Sequence, residues 1–461
     1  MTLRGIAGNQ GSVSALCTDL YQLTMAAGYF HRGMRGAVAT CEMFVRRLPS
    51  ARRYLVAMGL EEVLDFLERL RFEADEIEYL AALPALRDAM TPDFRRYLAE
   101  LRFTGEVWAA PEGTIVFENE PLVRVRAPLI EAQLIETFLL STVNHATMVA
   151  SKAARIVHAA GDAGVMEFGT RRTHPEAAVD AARAACAAGC VGTSNVEAGL
   201  RFDLPVMGTA AHMWTMAHPT EEAAFESYVT VFPTATILLI DTYDTVRGAE
   251  RAARVAKERL RGVRLDSGDL LALSRAVRQV LDEGGCRSAK IVASGDLNEY
   301  RIAELRRAGA PIDLYGVGTE LVCSVDAPAL GGVYKLVEIE RDGVKSPIAK
   351  FSEAKATLPG PHQVLRSRGA DGRFERDVIV LEDEVAPPAE PLLEQVFAGG
   401  KRLKPSERIA SIQARVRAGL VSLPPHLLEL DLAGAPYPVG VSARLAALVE
   451  EVRATAGGAT R

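Results

Sequence analysis

Apolar positions recur at helical spacing from Thr18, placed as an N-cap, to the turn at Gly33; the chain ahead, to about Ser14, is Gly/Ser-rich. Extended runs follow at Val38 to Arg46 and Tyr54 to Met58, then helical periods at Glu61 to Arg71, Asp75 to Leu83 and Asp93 to Leu101. Three short β-like pieces, Gly105 to Ala109, Thr114 to Glu118 and Leu122 to Val125, are separated by P-E-G and N-E-P, which is turn chemistry. This first part reads as a small α+β domain.

From Pro128 a long apolar period predicts a helix or helix pair reaching Gly161. The grammar then becomes strand, short polar loop, helix, repeated. Strand candidates are Val165 to Phe168, Cys190 to Val191, Leu204 to Met207, Thr236 to Ile240, Val263 to Leu265, Lys290 to Ala293, Leu314 to Val317 and Val333 to Val337. Helical patterns fill most gaps, at Glu176 to Ala188, Gly248 to Arg261, Asp269 to Glu283 and Asn298 to Ala308. This alternation predicts a parallel α/β sheet, and about eight strands is the count of a (β/α) barrel rather than an open sheet. The tail carries one clear strand at Asp377 to Leu381 and a final helix from Ser442 to about Ala454. The expected architecture is therefore α/β: an irregular (β/α) barrel over 131–345, an N-terminal α+β domain over 1–130 and a C-terminal extension or lobe over 346–461.

Composition narrows the function classes. The 461 residues carry 53 Lys+Arg against 59 Asp+Glu, a formal charge of −6, so binding to nucleic acid by charge alone is not expected. With 49% apolar and 24% charged residues the chain can bury a sizeable core. No apolar run approaches the roughly 18 residues of a membrane span. Six scattered cysteines, with no signal-peptide pattern at the start, predict reduced thiols and a cytoplasmic location. Cys186 and Cys190 stand close together, but no second ligand pair follows, so they read as core rather than as a metal site.

In barrels the reactive groups follow the C-terminal ends of strands. Here those loops read E-F-G-T-R-R (Glu167 to Arg172), G-T-S-N (Gly192 to Asn195), G-T-A-A-H (Gly208 to His212), D-T-Y-D (Asp241 to Asp244), R-L-D-S-G-D (Arg264 to Asp269), S-G-D (Ser294 to Asp296) and G-V-G-T (Gly316 to Thr319). Turns use Gly, Ser and Asp for steric reasons, so one such loop is weak evidence; seven on one rim exceed what turns need. In Ser294, Gly295, Asp296 and in Gly316, Gly318, Thr319, glycine lets backbone N–H groups approach a phosphate, at the place after the late strands where barrels bind one. Arg171 and Arg264 can fork onto a carboxylate or phosphate, while Arg172 reads as a surface ion-pairing residue. Asp266 and Asp269 could meet ribose hydroxyls or a magnesium pyrophosphate, and Asp269 could equally cap the helix after it. His212 stands among small residues ahead of a helix, and Tyr21 and Phe168 read as core aromatics.

Taken in order, these motifs with T-D-L-Y-Q-L-T-M (Thr18 to Met25), G-T-S-N-V-E-A-G (Gly192 to Gly199), G-G-V-Y-K-L-V (Gly331 to Val337) and K-F-S-E-A-K-A-T-L-P-G (Lys350 to Gly360) resemble the nicotinate phosphoribosyltransferases, a type II phosphoribosyltransferase family. The resemblance covers about three quarters of the chain. It implies transfer of phosphoribosyl from phosphoribosyl pyrophosphate to nicotinate with Mg²⁺, coupled to ATP hydrolysis through a phosphohistidine at His212. It further implies that Tyr21 and Phe168 sandwich the pyridine ring, with Tyr21 supplied by the partner subunit of a homodimer that shares its active sites. Thr209, Arg171 and Arg264 then contact the substrates, and the two glycine loops hold phosphate and ribose; displacement at the ribosyl carbon passes through an oxocarbenium-like state, for which Asp266, as a catalytic residue, and Asp296 can supply fixed negative charge. The nicotinamide-using sister family is similar but carries an aspartate in the loop matching Gly192 to Gly199. Ser194 and Asn195 stand here instead, which favours nicotinate. A phosphosugar lyase using Lys335 in an eighth barrel strand as a Schiff-base amine, and a catalytically silent nucleotide sensor, are the competing readings.

Overall fold

The computed structural model describes residues 13–352, 355–384, 388–432 and 434–458. The start of the Gly/Ser-rich leader, and Glu353 and Ala354 within the Lys350 to Gly360 motif, lie outside them.

Six parallel strands form a curled sheet in the order Gly192–Thr193, Gly164–Glu167, Leu314–Val317, Lys290–Ser294, Leu260–Leu265, Thr236–Leu239. The pairing of Leu314–Val317 with Gly164–Glu167 joins the last of these strands in sequence to the first, as in a barrel, and curls the sheet. A parallel bridge from Thr193 to Val206 is all that forms from the expected Leu204 to Met207 strand, so the barrel stays open between Val206 and Thr236. The chain between these edges carries the Met207 to Ala211 loop and helices His212–Met216 and Glu221–Val231. The second strand forms at Gly192–Thr193, two residues beyond the expected Cys190 to Val191. The expected helix Gly248 to Arg261 is Thr245–Ala256, because Arg261 already belongs to the strand Leu260–Leu265.

The expected eighth strand lies elsewhere. Gly332–Arg341 pairs antiparallel with Val38–Val45, Lys335 opposite Glu42, within a seven-stranded sheet that also takes in Pro121–Pro128 and Glu106–Ala109. Lys335 consequently sits outside the parallel sheet, its Nζ donating to the Tyr334 carbonyl at 2.9 Å. The N-terminal helix runs Leu20–His31, with Asp19 rather than Thr18 at the N-cap. Helices Leu60–Arg69, Ala74–Ala82 and Pro92–Glu100 complete the expected α+β part. Beyond it, a four-stranded sheet containing His362–Arg368 and Phe374–Leu381 and the helix Ala443–Gly458 form a lobe with its own small core of Val364, Ile379, Leu381, Leu392 and Leu445.

The helices Leu129–Leu134 and Glu136–Ala160 answer the long apolar period. The second packs against helices Leu60–Arg69, Pro175–Ala187 and Glu299–Arg307 and against strands of both large sheets. Its run from Ala146 to Ile156 is buried on every face, and alanines at 146, 150, 153 and 154 allow that close approach. This helix fixes the barrel against the antiparallel sheet.

Candidate active site

A cavity of about 490 Å³ opens at the C-terminal ends of the parallel strands. It is lined by Phe168, Arg171, Thr209, Arg264, Asp266, Ser294, Gly295, Asp296, Gly316, Gly318 and Thr319, all expected from sequence, and also by Ser194, Arg172 and Glu320. Each group leaves a strand end: Phe168 follows Gly164–Glu167, Asp266 follows Leu260–Leu265, and Gly295 follows Lys290–Ser294. Gly295 has φ +91°, and a side chain there would run into the Asp266 carbonyl, so only glycine lets these two loops meet. Gly316 leaves the space that the Phe168 ring occupies.

Arg264 organises the floor. Its Nε donates to Ser294 Oγ at 2.8 Å, Nη1 to Thr209 Oγ1 at 3.1 Å and Nη2 to Asp266 Oδ1 at 2.6 Å. The Ser294 hydroxyl donates to the same Asp266 oxygen at 2.5 Å. The guanidinium carbon lies 5.6 Å from the centre of the Phe168 ring. Burial works to raise the Asp266 carboxyl, but the Ser294 hydroxyl and the Arg264 cation outweigh it and hold the group below its ordinary value. Asp266 is therefore an anion throughout the neutral range.

His212 opens the helix His212–Met216 at the barrel's open seam. Its Nδ1 is 3.1 Å from Thr242 Oγ1, and its Nε2 faces Asp266 Oδ2 at 3.8 Å. Asp241 supports the same loop from behind, its Oδ2 accepting from the Asp266 backbone N–H at 2.9 Å and from Ser267 Oγ at 2.7 Å, while its Oδ1 is buried without a hydrogen-bond partner among the described residues. Neither Asp241 nor Thr242 is singled out by the sequence; their place two and three residues past the strand Thr236–Leu239 is the signal that could find them.

Glu167, the last residue of the strand Gly164–Glu167, likewise goes unmarked as a site residue in the sequence. Fully buried, it accepts from the Gly169 N–H and from Thr193 Oγ1 at 2.5 Å, tying the first two strand ends together. Burial pushes its carboxyl up despite those bonds. Arg171 and Arg172 are exposed at the mouth and neither is ion-paired among the described residues, so the surface-pairing expectation for Arg172 gives way to a place on the cavity wall. Asn195 does not face the cavity: its side chain caps helix Val196–Phe202 by accepting from the Ala198 N–H at 2.9 Å, which leaves Ser194 as that loop's polar group in the cavity.

Asp269 is an N-cap. Its Oδ1 accepts from the Leu271 and Ala272 N–H groups at 3.1 and 3.2 Å. Among the described residues no group of three or more His, Cys, Asp or Glu side chains is placed to hold a metal ion. Tyr21, 48% exposed on helix Leu20–His31, is not among the residues lining the cavity within one chain.

Three family models match along the chain: the nicotinate phosphoribosyltransferase N-terminal domain over residues 16–144, the nicotinate phosphoribosyltransferase family over 163–358 and the nicotinate phosphoribosyltransferase C-terminal domain over 386–449. A nicotinate phosphoribosyltransferase of Mycobacterium tuberculosis is 44% identical across 96% of this chain and 94% of its own. That of Bacillus subtilis is 46% identical across 80% of this chain and 76% of its own. The crystal structure of human nicotinic acid phosphoribosyltransferase superposes with a TM-score of 0.84 at 30% identity, covering 94% of this chain and 99% of that one. With its sequence matched over most of its length and its cavity lined by the motifs that first carried the resemblance, the chain belongs to the nicotinate phosphoribosyltransferase family.

Proposed function

We propose that this cavity makes nicotinate mononucleotide from nicotinate and phosphoribosyl pyrophosphate, with ATP hydrolysis coupled through His212, in the biosynthesis of NAD. The observation that carries the reading is the Arg264 cluster: a cation beneath an aromatic ring, beside an anionic Asp266, with two glycine loops opposite. Nicotinate is a flat ring bearing one carboxylate. Phe168 offers the ring a stacking face, and Arg264 or Arg171 offers the carboxylate a paired donor. The acids on the cavity wall, Asp266, Asp296 and Glu320, lie outside the Ser194 loop, so that loop presents no anion to repel the substrate.

The pyridine nitrogen attacks the ribosyl anomeric carbon, the bond from that carbon to the pyrophosphate oxygen breaks, and pyrophosphate leaves with the electron pair. Positive charge gathers on the ribose during the step. Asp266, held anionic, and Asp296 stabilise it, while the backbone N–H groups of Gly295, Gly316, Gly318 and Thr319 bind phosphate oxygens. Bound Mg²⁺ would neutralise the departing pyrophosphate. The donor set fits that ion: the unpartnered Oδ1 of Asp241 and the carboxylate of Asp266 are hard oxygen ligands, and Mg²⁺ commonly takes one or two carboxylates plus substrate phosphates rather than a full protein cage. Asp269 spends its carboxylate on the helix cap.

Thr242 engages His212 Nδ1, which leaves Nε2 to accept the γ-phosphoryl group of ATP with release of ADP; water then takes the phosphoryl group and returns the neutral imidazole. A homodimer with Tyr21 reaching the partner's cavity accords with the exposed apolar side chains of Leu20, Tyr21 and Met25 on the N-terminal helix and of Leu200, Met213 and Met216 near the seam. Free cysteines and the absence, among the described residues, of any helix long and apolar enough to cross a membrane accord with a cytoplasmic enzyme. The test is His212→Ala. The variant is expected to lose ATP stimulation while retaining slow ATP-independent synthesis, and ATP hydrolysis that still keeps step with product would contradict the role of His212.

A further inference from the structure

Beneath the phosphate side of the cavity lies an ion cluster that the mechanism above does not use. Lys152, in the middle of helix Glu136–Ala160, is 1% exposed. Its Nζ stands 2.7 Å from Glu299 Oε2, 3.0 Å from Asp326 Oδ1 and 3.4 Å from Glu320 Oε2. Arg155 pairs with the other Glu299 oxygen at 3.1 Å. Arg52 pairs with Asp326 at 3.2 Å and donates to Ser324 Oγ and to the Met148 carbonyl. Three cations, Arg52, Lys152 and Arg155, therefore balance three acids, Glu299, Glu320 and Asp326.

The acids are not equivalent. The Glu299 side chain is fully buried and that of Asp326 is 14% exposed, whereas the Glu320 side chain is 25% exposed and lies on the cavity wall, immediately after Thr319. Glu299 keeps Arg155 and Asp326 keeps Arg52 whatever happens at position 152; Glu320 has only Lys152 as a cation partner among the described residues. Burial raises the Asp326 carboxyl, but Arg52 and then Lys152 outweigh it and hold it down at about 2, so that carboxyl stays ionised. The segment it grips, Gly316 to Asp326, includes Ser324 at φ +44°, a conformation that a non-glycine residue adopts only when its neighbours hold it.

We propose that Lys152 is a positioning residue for the phosphoribosyl donor: it neutralises Glu320 and pins the Gly316 to Asp326 segment, so that a polyanion can settle beside a carboxylate. The role rests on the donor's phosphates lying against the glycine loops. An uncompensated carboxylate at the wall of a partly enclosed cavity repels an incoming polyanion, whereas a neutral amide in its place leaves net positive charge behind.

The experiment measures KM for phosphoribosyl pyrophosphate and for nicotinate in the full-length enzyme, for wild type, Lys152→Met, Glu320→Gln and the double variant. Lys152→Met is expected to raise the donor KM by about tenfold and the nicotinate KM by less than about threefold, and adding Glu320→Gln is expected to bring the donor KM back to within about threefold of wild type. Equal changes in both KM values, or a double variant no better than Lys152→Met, would overturn the proposal. Glu320→Gln alone keeps it testable should Lys152→Met fail to fold: its donor KM is expected to fall about threefold, and an unchanged or raised value overturns the role. A wild type that makes no nicotinate mononucleotide would refute the activity itself; normal synthesis with a donor KM indifferent to these charges would refute only the part given to Lys152.

Discussion

Two arginine–aspartate pairs in this molecule share one chemistry and differ in what they leave over. Arg366 and Asp377, in the C-terminal lobe, are 3% and 0% exposed at their side chains and meet through contacts of 2.5 to 3.1 Å. Tyr437 completes the set by donating to Asp377 at 3.0 Å, and the guanidinium lies over the rings of Phe374 and Phe117. Arg264 and Asp266 are 14% and 28% exposed, pair at 2.6 Å and open onto a cavity. Burial pushes the Glu120 carboxyl beside the closed pair well above its ordinary value, whereas at Asp266 the Ser294 and Arg264 contacts outweigh burial. The closed pair spends its capacity on the fold. The open pair keeps an anionic oxygen and a ring-backed cation for a ligand, and that remainder is what makes a site.

Breaking the closed pair is expected to give the largest effect. Arg366→Met strands a buried carboxylate and should cost about 3–5 kcal/mol of folding stability, while the fraction that stays folded keeps its KM for nicotinate. Denaturant unfolding followed by kinetics at low temperature checks both halves, and an unchanged midpoint would erase the contrast. Arg264→Ala should weigh on activity instead: kcat/KM for nicotinate falls more than about tenfold, the scale of losing about 1.5–3 kcal/mol of charged hydrogen bonding, with a smaller loss of stability than Arg366→Met. Unaltered kinetics would remove Arg264 from the substrate.

Asp266→Asn sharpens the same contrast through pH. The depressed carboxyl makes the anion a stabilising group above the ordinary unfolded value, and that contribution disappears as pH falls through the folded value. The stability gap between wild type and Asp266→Asn should accordingly be widest near neutrality and narrow toward strongly acidic pH; a gap that widens on acidification would mean that Asp266 is not held anionic. The smallest effect belongs to Asp269→Ala, which loses a helix cap and about 1 kcal/mol, with the Mg²⁺ dependence of the rate unmoved. A shifted Mg²⁺ requirement would instead make Asp269 a ligand.

The sequence made most of the cavity rim legible because each rim loop follows a short apolar strand and carries Gly with Ser, Thr or a charge, as in Ser294 to Asp296. It hid whatever depends on long-range pairing. Val333 to Val337 has the apolar look of a barrel strand, but its partner is Val38–Val45, nearly three hundred residues earlier, and no local pattern reports that antiparallel register. Leu204 to Met207 keeps a single bridge because the seam beside it offers no second partner. The supporting acids Glu167 and Asp241 stood in plain view within the rim loops, yet their hydrogen bonds to Thr193, Ser267 and the Asp266 backbone emerge only when separate strands are brought side by side. Arg172 reads from sequence as a surface ion-pairing residue and Glu320 goes unmarked for a related reason: a charged residue beside a turn carries no mark of which way its strand end faces.

The most direct test supplies phosphoribosyl pyrophosphate and Mg²⁺ with either nicotinate or nicotinamide, with and without ATP, and identifies the product by mass spectrometry. The account predicts nicotinate mononucleotide, formed faster with ATP; nicotinamide mononucleotide in its place, or nicotinate mononucleotide at a rate indifferent to ATP, would contradict it.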